Sequence, residues 1–242
     1  MSPVQREPAP TVEVMWYSRV YRAAEAYELA IVGDPIKGYI DAADDTPPPS
    51  PSQFQNRVRL HALRILLVKP RRWTYTVGDV YAMLLATPPQ SDGLLDKVLS
   101  WVASWFSPSG VEKAKSEKEK RIIEYRTKVR AVAEKSVGAR YKDMVYLDGI
   151  ATHPDHQRKG YADMLMEAVA AKIDTIGKAA FLVSSNSANE KFYQAHGFST
   201  VGEAVIGDEN PTWDEKPIVV QIMVREARPS HALDEAAVKK TA

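Results

Sequence analysis

Gln157-Arg158-Lys159-Gly160-Tyr161-Ala162 lies between an apolar, strand-like run and a helix-like run. A glycine-bearing turn that opens a helix leaves several backbone N–H groups pointing outward without internal acceptors, an arrangement that suits anionic phosphate. Arg158 and Lys159 add two cations to the same turn. The chemistry on offer is the grip of a phosphorylated ligand, although in isolation the six residues serve equally as a plain strand-to-helix connection. Other chemistries find less support. The chain has no cysteine, which excludes disulfides, thiolate zinc sites and a cysteine nucleophile. It has no Gly-x-Ser-x-Gly elbow. His153 and His156 flank Pro154-Asp155, but no further ligands converge with them in the sequence, so no metal is expected. His196 is expected to cap a helix C-terminus, where a cation is favoured.

The elements that must position this turn can be read along the chain. The 242 residues, 45% of them hydrophobic, suffice for one well-buried core. A net charge of +1 gives no global field for nucleic acid. The first eleven residues carry Pro, Gln, Arg and Glu where a signal peptide needs an apolar block, and no run approaches the roughly 20 apolar residues of a membrane span. A cytoplasmic protein without membrane contact is expected. Residues 1–11 read as flexible. Val12 to Val32 has a helical pattern, with Val20, Ala23, Ala24, Tyr27 and Ile31 on one side, stopped at Gly33-Asp34-Pro35. Residues 34–53, with Asp41, Asp44 and Asp45, read as a mobile acidic loop, and Gln53 to Val68 as a helix. Trp73–Val77 and Val80–Ala86 read as a hairpin turned by Gly78-Asp79.

Residues 93–139 read as helical. Leu94, Val98, Trp101, Val102 and Trp105 form an apolar stripe, and Val111 to Val137 is charge-rich. The second part pairs Glu117 with Arg121 and Glu124 with Lys128 on its surface, and turns Ile122, Tyr125, Val129 and Val132 inward. Met144–Ala151 is a strand. A helix from Tyr161 to about Ile176 buries Met164, Leu165, Ala168 and Ala171 or Val169. Then come a strand at Ala179–Ser185, a short helix at Asn189–His196 stopped by Gly197, and strands at Phe198–Ile206 and Pro217–Val224. Residues 227–242 read as a disordered tail.

In this order of elements the chain resembles the GNAT superfamily of N-acetyltransferases. Three features carry the resemblance: the Q/R-x-x-G-x-G/A loop as Gln157 to Ala162, Asn186 seven residues before Tyr193, and the closing Gly197-Phe198. Thr152-His153-Pro154 is similar to fungal members in particular. The resemblance is clear over 143–226, extends to 12–32 and 72–89, and is absent over 93–139, which reads as a helical insertion. It implies one α/β domain over 12–226, with a mixed, mostly antiparallel central sheet flanked by helices and splayed central strands. It implies acetyl transfer from acetyl-CoA to a primary amine, on a small molecule or a lysine or N-terminus, by direct attack in a ternary complex. A non-catalytic acyl-CoA-binding module with the same fold is the alternative.

By the same resemblance, Gln157, Arg158, Lys159, Gly160, Tyr161, Ala162 and Asp163 hold the pyrophosphate. The pantetheine arm runs along the backbone of Ile150, Ala151 and Thr152 and past Asn186 and Tyr193. Backbone N–H of Ile150 or Ala151 polarises the thioester carbonyl. Tyr193, a phenol that titrates near pH 10, protonates the departing thiolate. Some relatives use a strand glutamate as base, but the corresponding position is Tyr146. Asp148 is the nearest carboxylate and the candidate base, with the strand parity of Tyr146 and Ile150. Splayed strands need an interruption, for which Gly149 is the candidate.

Overall fold

The structure, a computed structural model, describes residues 9–43, 50–69, 73–89 and 116–228. Seven strands form one sheet: β1 (Val12–Val14), β2 (Trp73–Val77), β3 (Ala82–Thr87), β4 (Val145–Thr152), β5 (Ala180–Ser184), β6 (Ser199–Ile206) and β7 (Ile218–Arg225). Their spatial order is β1-β2-β3-β4-β5-β7-β6, and only the β4–β5 pair is parallel. Among the described residues six α-helices flank it: α1 (Val20–Ala30), α2 (Pro35–Asp41), α3 (Pro51–Val68), α4 (Glu117–Ser136), α5 (Tyr161–Thr175) and α6 (Glu190–Ala195).

Each face of the sheet buries its own apolar set. On one face, Leu165, Met166, Val169 and Ile173 of α5 pack on Leu84, Val145, Leu147 and Leu182. Met166 and Ile173 thus take inward places on α5, whereas Ala171 is exposed. On the other face, α1 and α3 cover Met83, Leu85 and Ala151, while α2 and α4 cover β6 and β7. Arg121 of α4 does pair with Glu117, at 3.5 Å, but it is not on the surface. It is 1% exposed and donates to the carbonyls of Tyr39 at 2.6 Å and Thr212 at 2.8 Å, tying the β6–β7 connection to α2.

Three expectations for the N-terminal third change. Val12–Val14 is a strand rather than the start of a helix, because Val12, Glu13 and Val14 pair with Val77, Thr76 and Tyr75 on the hairpin edge. Residues 35–41 are helical rather than a loop. Asp34 accepts a hydrogen bond from Lys37 N at 3.0 Å, and Pro35 occupies the first turn, so the residues that stop α1 also start α2. β3 begins at Ala82, since Val80 takes a φ of 62° in the preceding turn. Asp44, Asp45 and the Leu94–Phe106 stripe lie outside the described residues.

Helix α4 lies close on β6 at Gly202, where a Cβ would sit 2.3 Å from Ser136 Oγ and 2.7 Å from Val132 Cγ1. Gly202→Val is therefore expected to destabilise the protein by about 1–3 kcal/mol through overpacking. Thermal unfolding checks this, and an unchanged midpoint would show that α4 does not sit so tightly.

Candidate active site

The β4–β5 pairing covers only Val145↔Ala180, Tyr146↔Phe181 and Leu147↔Leu182, although β4 continues to Thr152. Beyond Leu147 the two strands part, and β4 keeps hydrogen bonds only with β3. The parting has a local cause in β4. Leu85 pairs with Gly149 and Ala86 with Leu147, so Asp148 is the extra residue of a β-bulge. The interruption thus falls at Asp148, one position before the glycine expected to make it.

The bulge overturns the expected strand parity. Leu147 and Ile150 both pack on the α5 face, whereas Ala151 joins the core under α1 and α3. Tyr146, Asp148 and Ile150 therefore do not share a face by simple alternation. Gly149 faces α1, and a Cβ there would lie 3.4 Å from Tyr27 Cε2.

A single 3-10 turn, Pro154–His156, leads from β4 into the glycine loop. Arg158 adopts a φ of 60°, and Gly160 takes the left-handed conformation (φ 78°) as N-cap of α5. Left-handed backbone is cheap for glycine and costs other residues roughly 1–2 kcal/mol. The positive φ values at 158 and 160 turn successive peptides so that their N–H groups face outward. Among the described residues, no acceptor takes the backbone N–H of Arg158, Lys159, Gly160, Tyr161, Ala162 or Asp163. No heavy atom lies within 4 Å of a Cβ built on Gly160, so the loop is open to an incoming group. Such a cradle fits a diphosphate.

The loop side chains stabilise the turn itself. Lys159 Nζ donates to the Asp155 carbonyl at 3.1 Å, and Gln157 Nε2 to the Thr152 carbonyl at 3.4 Å. The His156 ring stacks on Tyr81 at 4.1 Å, with Tyr161 next to Tyr81 at 5.6 Å. Burial, then the charges of Lys159 and His153, lower the His156 pKa. His153 Nδ1 accepts from Asp155 N at 3.3 Å. His196 ends α6 as expected, its Nδ1 2.8 Å from the Phe192 carbonyl and its Nε2 3.7 Å from Asp163 Oδ1.

Tyr193, on α6, is 9% exposed and packs in the same cluster as Ile150, Leu165 and Tyr161. Its hydroxyl has no hydrogen-bond partner among the described residues, and burial pushes the phenol up to about 12. It is thus a protonated donor with no recorded acceptor. Asn186 accepts from Ala188 N at 3.0 Å, which fixes the turn that launches α6. The glycine loop, Ile150 and Tyr193 are gathered on one face of the strand gap.

The opposite face holds residues that sequence reading did not single out. Tyr27, Asp34, Tyr125 and Ser185 line a cavity of about 380 Å³. Ser185 Oγ donates to Asp34 across 151 positions of sequence. The local signals concerned only helices: the inward faces that carry Tyr27 and Tyr125, and the helix ends at Asp34-Pro35.

Comparison with known proteins agrees with this architecture. The family model described as "Acetyltransferase (GNAT) domain" matches residues 103–210, a span that takes in α4 as well as the gap and the loop. A structure of histone acetyltransferase HPA2 and related acetyltransferase from Corynebacterium glutamicum superposes with a TM-score of 0.56 at 16% identity, covering 92% of this chain and 98% of that one. Arylalkylamine N-acetyltransferase 2 from Aedes aegypti gives a TM-score of 0.59 at 15% identity, covering 90% of this chain and 99% of the other. No curated protein sequence matches the chain. Among the described residues, no helix is long and apolar enough to cross a membrane. The parted parallel pair, the free-amide loop and the superpositions together give this chain the GNAT fold, with a match to the GNAT acetyltransferase domain over its central part.

Proposed function

We propose that this protein is an N-acetyltransferase that moves an acetyl group from acetyl-CoA to a primary amine by direct attack in a ternary complex. The observation that carries this reading is the juxtaposition of the β4–β5 gap with a helix start whose amides have no acceptor. The matched family and both structural neighbours bear the names of acetyltransferases. The amides of residues 158–162 hold the pyrophosphate, with Gln157 and Asp163 at the ends of the loop. The pantetheine arm lies along the unpaired edge of Ile150, Ala151 and Thr152, beside Asn186, as an added strand would.

An N–H of Ile150 or Ala151 polarises the thioester carbonyl, and the neutral amine adds to the carbonyl carbon. The C–S bond breaks, and the sulfur takes the Tyr193 hydroxyl proton. Asp148, at the bulge beside the gap, accepts a proton from nitrogen, directly or through water.

Calorimetric titration with acetyl-CoA is expected to give a low-micromolar Kd. Absence of heat at millimolar ligand would remove the basis of the reading. Binding without CoA release across a broad amine panel would favour a non-catalytic acyl-CoA-binding role.

A further inference from the structure

The cavity opposite the glycine loop has a charge arrangement that restricts what it can take. It is bounded by α1, α2, Arg57 of α3, Tyr125 of α4 and Ser185 at the end of β5. Three carboxylates face it, and two have basic side chains against them. Glu28 lies 3.2 Å from His61 Nδ1. Asp41 lies 3.1 Å from Lys118 Nζ and 3.6 Å from Arg57 Nη1, and also pairs with Lys37. Asp34 differs: its oxygens accept from Lys37 N and Ser185 Oγ, and no cation among the described residues pairs with it.

The charge of Asp34 reaches the phenols of Tyr27 and Tyr125, which burial foremost pushes up to about 12. Tyr27 also faces Gly149 of β4, where an added Cβ would lie 3.4 Å from its ring, so one wall of the cavity lies near the strand gap. Its remaining walls are apolar: Ile31, Ile36 and Ile40. Asp214, Glu215 and Lys216 line a separate cavity on the opposite face of α2 that shares only Asp34 with this one.

We infer that this cavity seats the acceptor, that Asp34 draws in its ammonium between the rings of Tyr27 and Tyr125, that this nitrogen gives up one proton to Asp148, directly or through water, before it attacks, and that the acceptor is a monoamine with an apolar tail. An ammonium gains from the carboxylate that has no basic partner among the described residues and from the ring faces. A second ammonium on a short diamine gains nothing comparable, because Lys37 and Arg57 already occupy Asp41 and repel it, and Glu28 is hydrogen-bonded to His61. The inference rests on the acetyltransferase reading and adds the acceptor class to it.

The test uses the full chain with acetyl-CoA and two probes, 2-phenylethylamine and 1,4-diaminobutane. kcat/KM is expected to favour the monoamine more than tenfold. Asp34→Asn keeps a side chain that caps α2 well. It is expected to lower kcat/KM for 2-phenylethylamine roughly 10- to 100-fold, mainly through KM, the loss typical of a hydrogen bond to a charged group. The acetyl-CoA Kd should not change. Equal or better use of the diamine overturns the inference, as does an Asp34→Asn enzyme within threefold of wild type, or acetyl-CoA binding with neither amine acetylated. Wild-type protein that binds no acetyl-CoA overturns the acetyltransferase reading itself. The diamine comparison needs no variant, so it decides the matter even if Asp34→Asn folds poorly.

Discussion

Tyr193→Phe is expected to lower kcat by about 10²- to 10⁴-fold, the usual range for loss of a positioned proton donor, while the acetyl-CoA Kd stays within twofold or so of wild type. The phenol is suited to this loss. It is buried and pushed up to about 12, so it holds its proton throughout the working pH range. No other group among the described residues accepts that proton in a hydrogen bond. The ring packs with Phe192, Phe198 and the α5 core, and phenylalanine preserves those contacts. Folding is thereby separated from chemistry. Steady-state kinetics alongside calorimetry check the expectation. Equal losses in turnover and cofactor affinity would assign Tyr193 to packing, and near wild-type turnover would take it out of the chemistry altogether.

Asp174→Ala is expected to have the largest effect on stability. Asp174, near the end of α5, receives two hydrogen bonds from Arg225 of β7, at 2.6 and 2.7 Å. Both side chains are almost fully buried, at 8% and 3% exposure. The intact pair recovers in Coulomb energy and bidentate geometry much of what its desolvation costs. Alanine leaves the guanidinium buried with no counter-charge, and breaking such pairs costs about 3–5 kcal/mol. For a chain of this size each kcal/mol lowers the thermal midpoint by roughly 2–4 °C. A calorimetric scan tests this. If the midpoint falls by no more than a degree or two, the pair is solvated in solution and does not clamp α5 to the sheet. Asp174→Ala,Arg225→Met, which removes both charges, is expected to recover much of the loss.

The elements around the glycine turn were legible in local sequence. The glycine turn, the strand before it and the helix after it are consecutive, and their signals are short-range: apolar alternation, a left-handed glycine, helical spacing. Tyr193 and Asn186 were singled out by the family resemblance rather than by any local signal. The bulge was visible only as an interruption near Gly149. Its placement at Asp148 depends on the register with β3, which comes from a distant segment. The two residues after the bulge thereby moved to faces that simple alternation does not assign them.

Where partners are far apart in sequence, reading ran out. Arg121 makes the ion pair with Glu117 that its spacing suggests, yet it does so buried, against Tyr39 and Thr212, 82 and 91 positions away. Val12–Val14 lies next to a helical pattern, yet a hairpin edge recruits it into the sheet.

By itself the sequence determined the α/β class, the order of elements from β4 onward and the outward-facing amides that open α5, because each depends on the conformational preferences of neighbouring residues. The tertiary structure alone decided where β4 leaves β5, which face each bulge neighbour takes, and that Asp34 and Ser185 meet beside Tyr27. Those are long-range contacts, chosen by the burial and pairing of whole elements, and no local propensity encodes them.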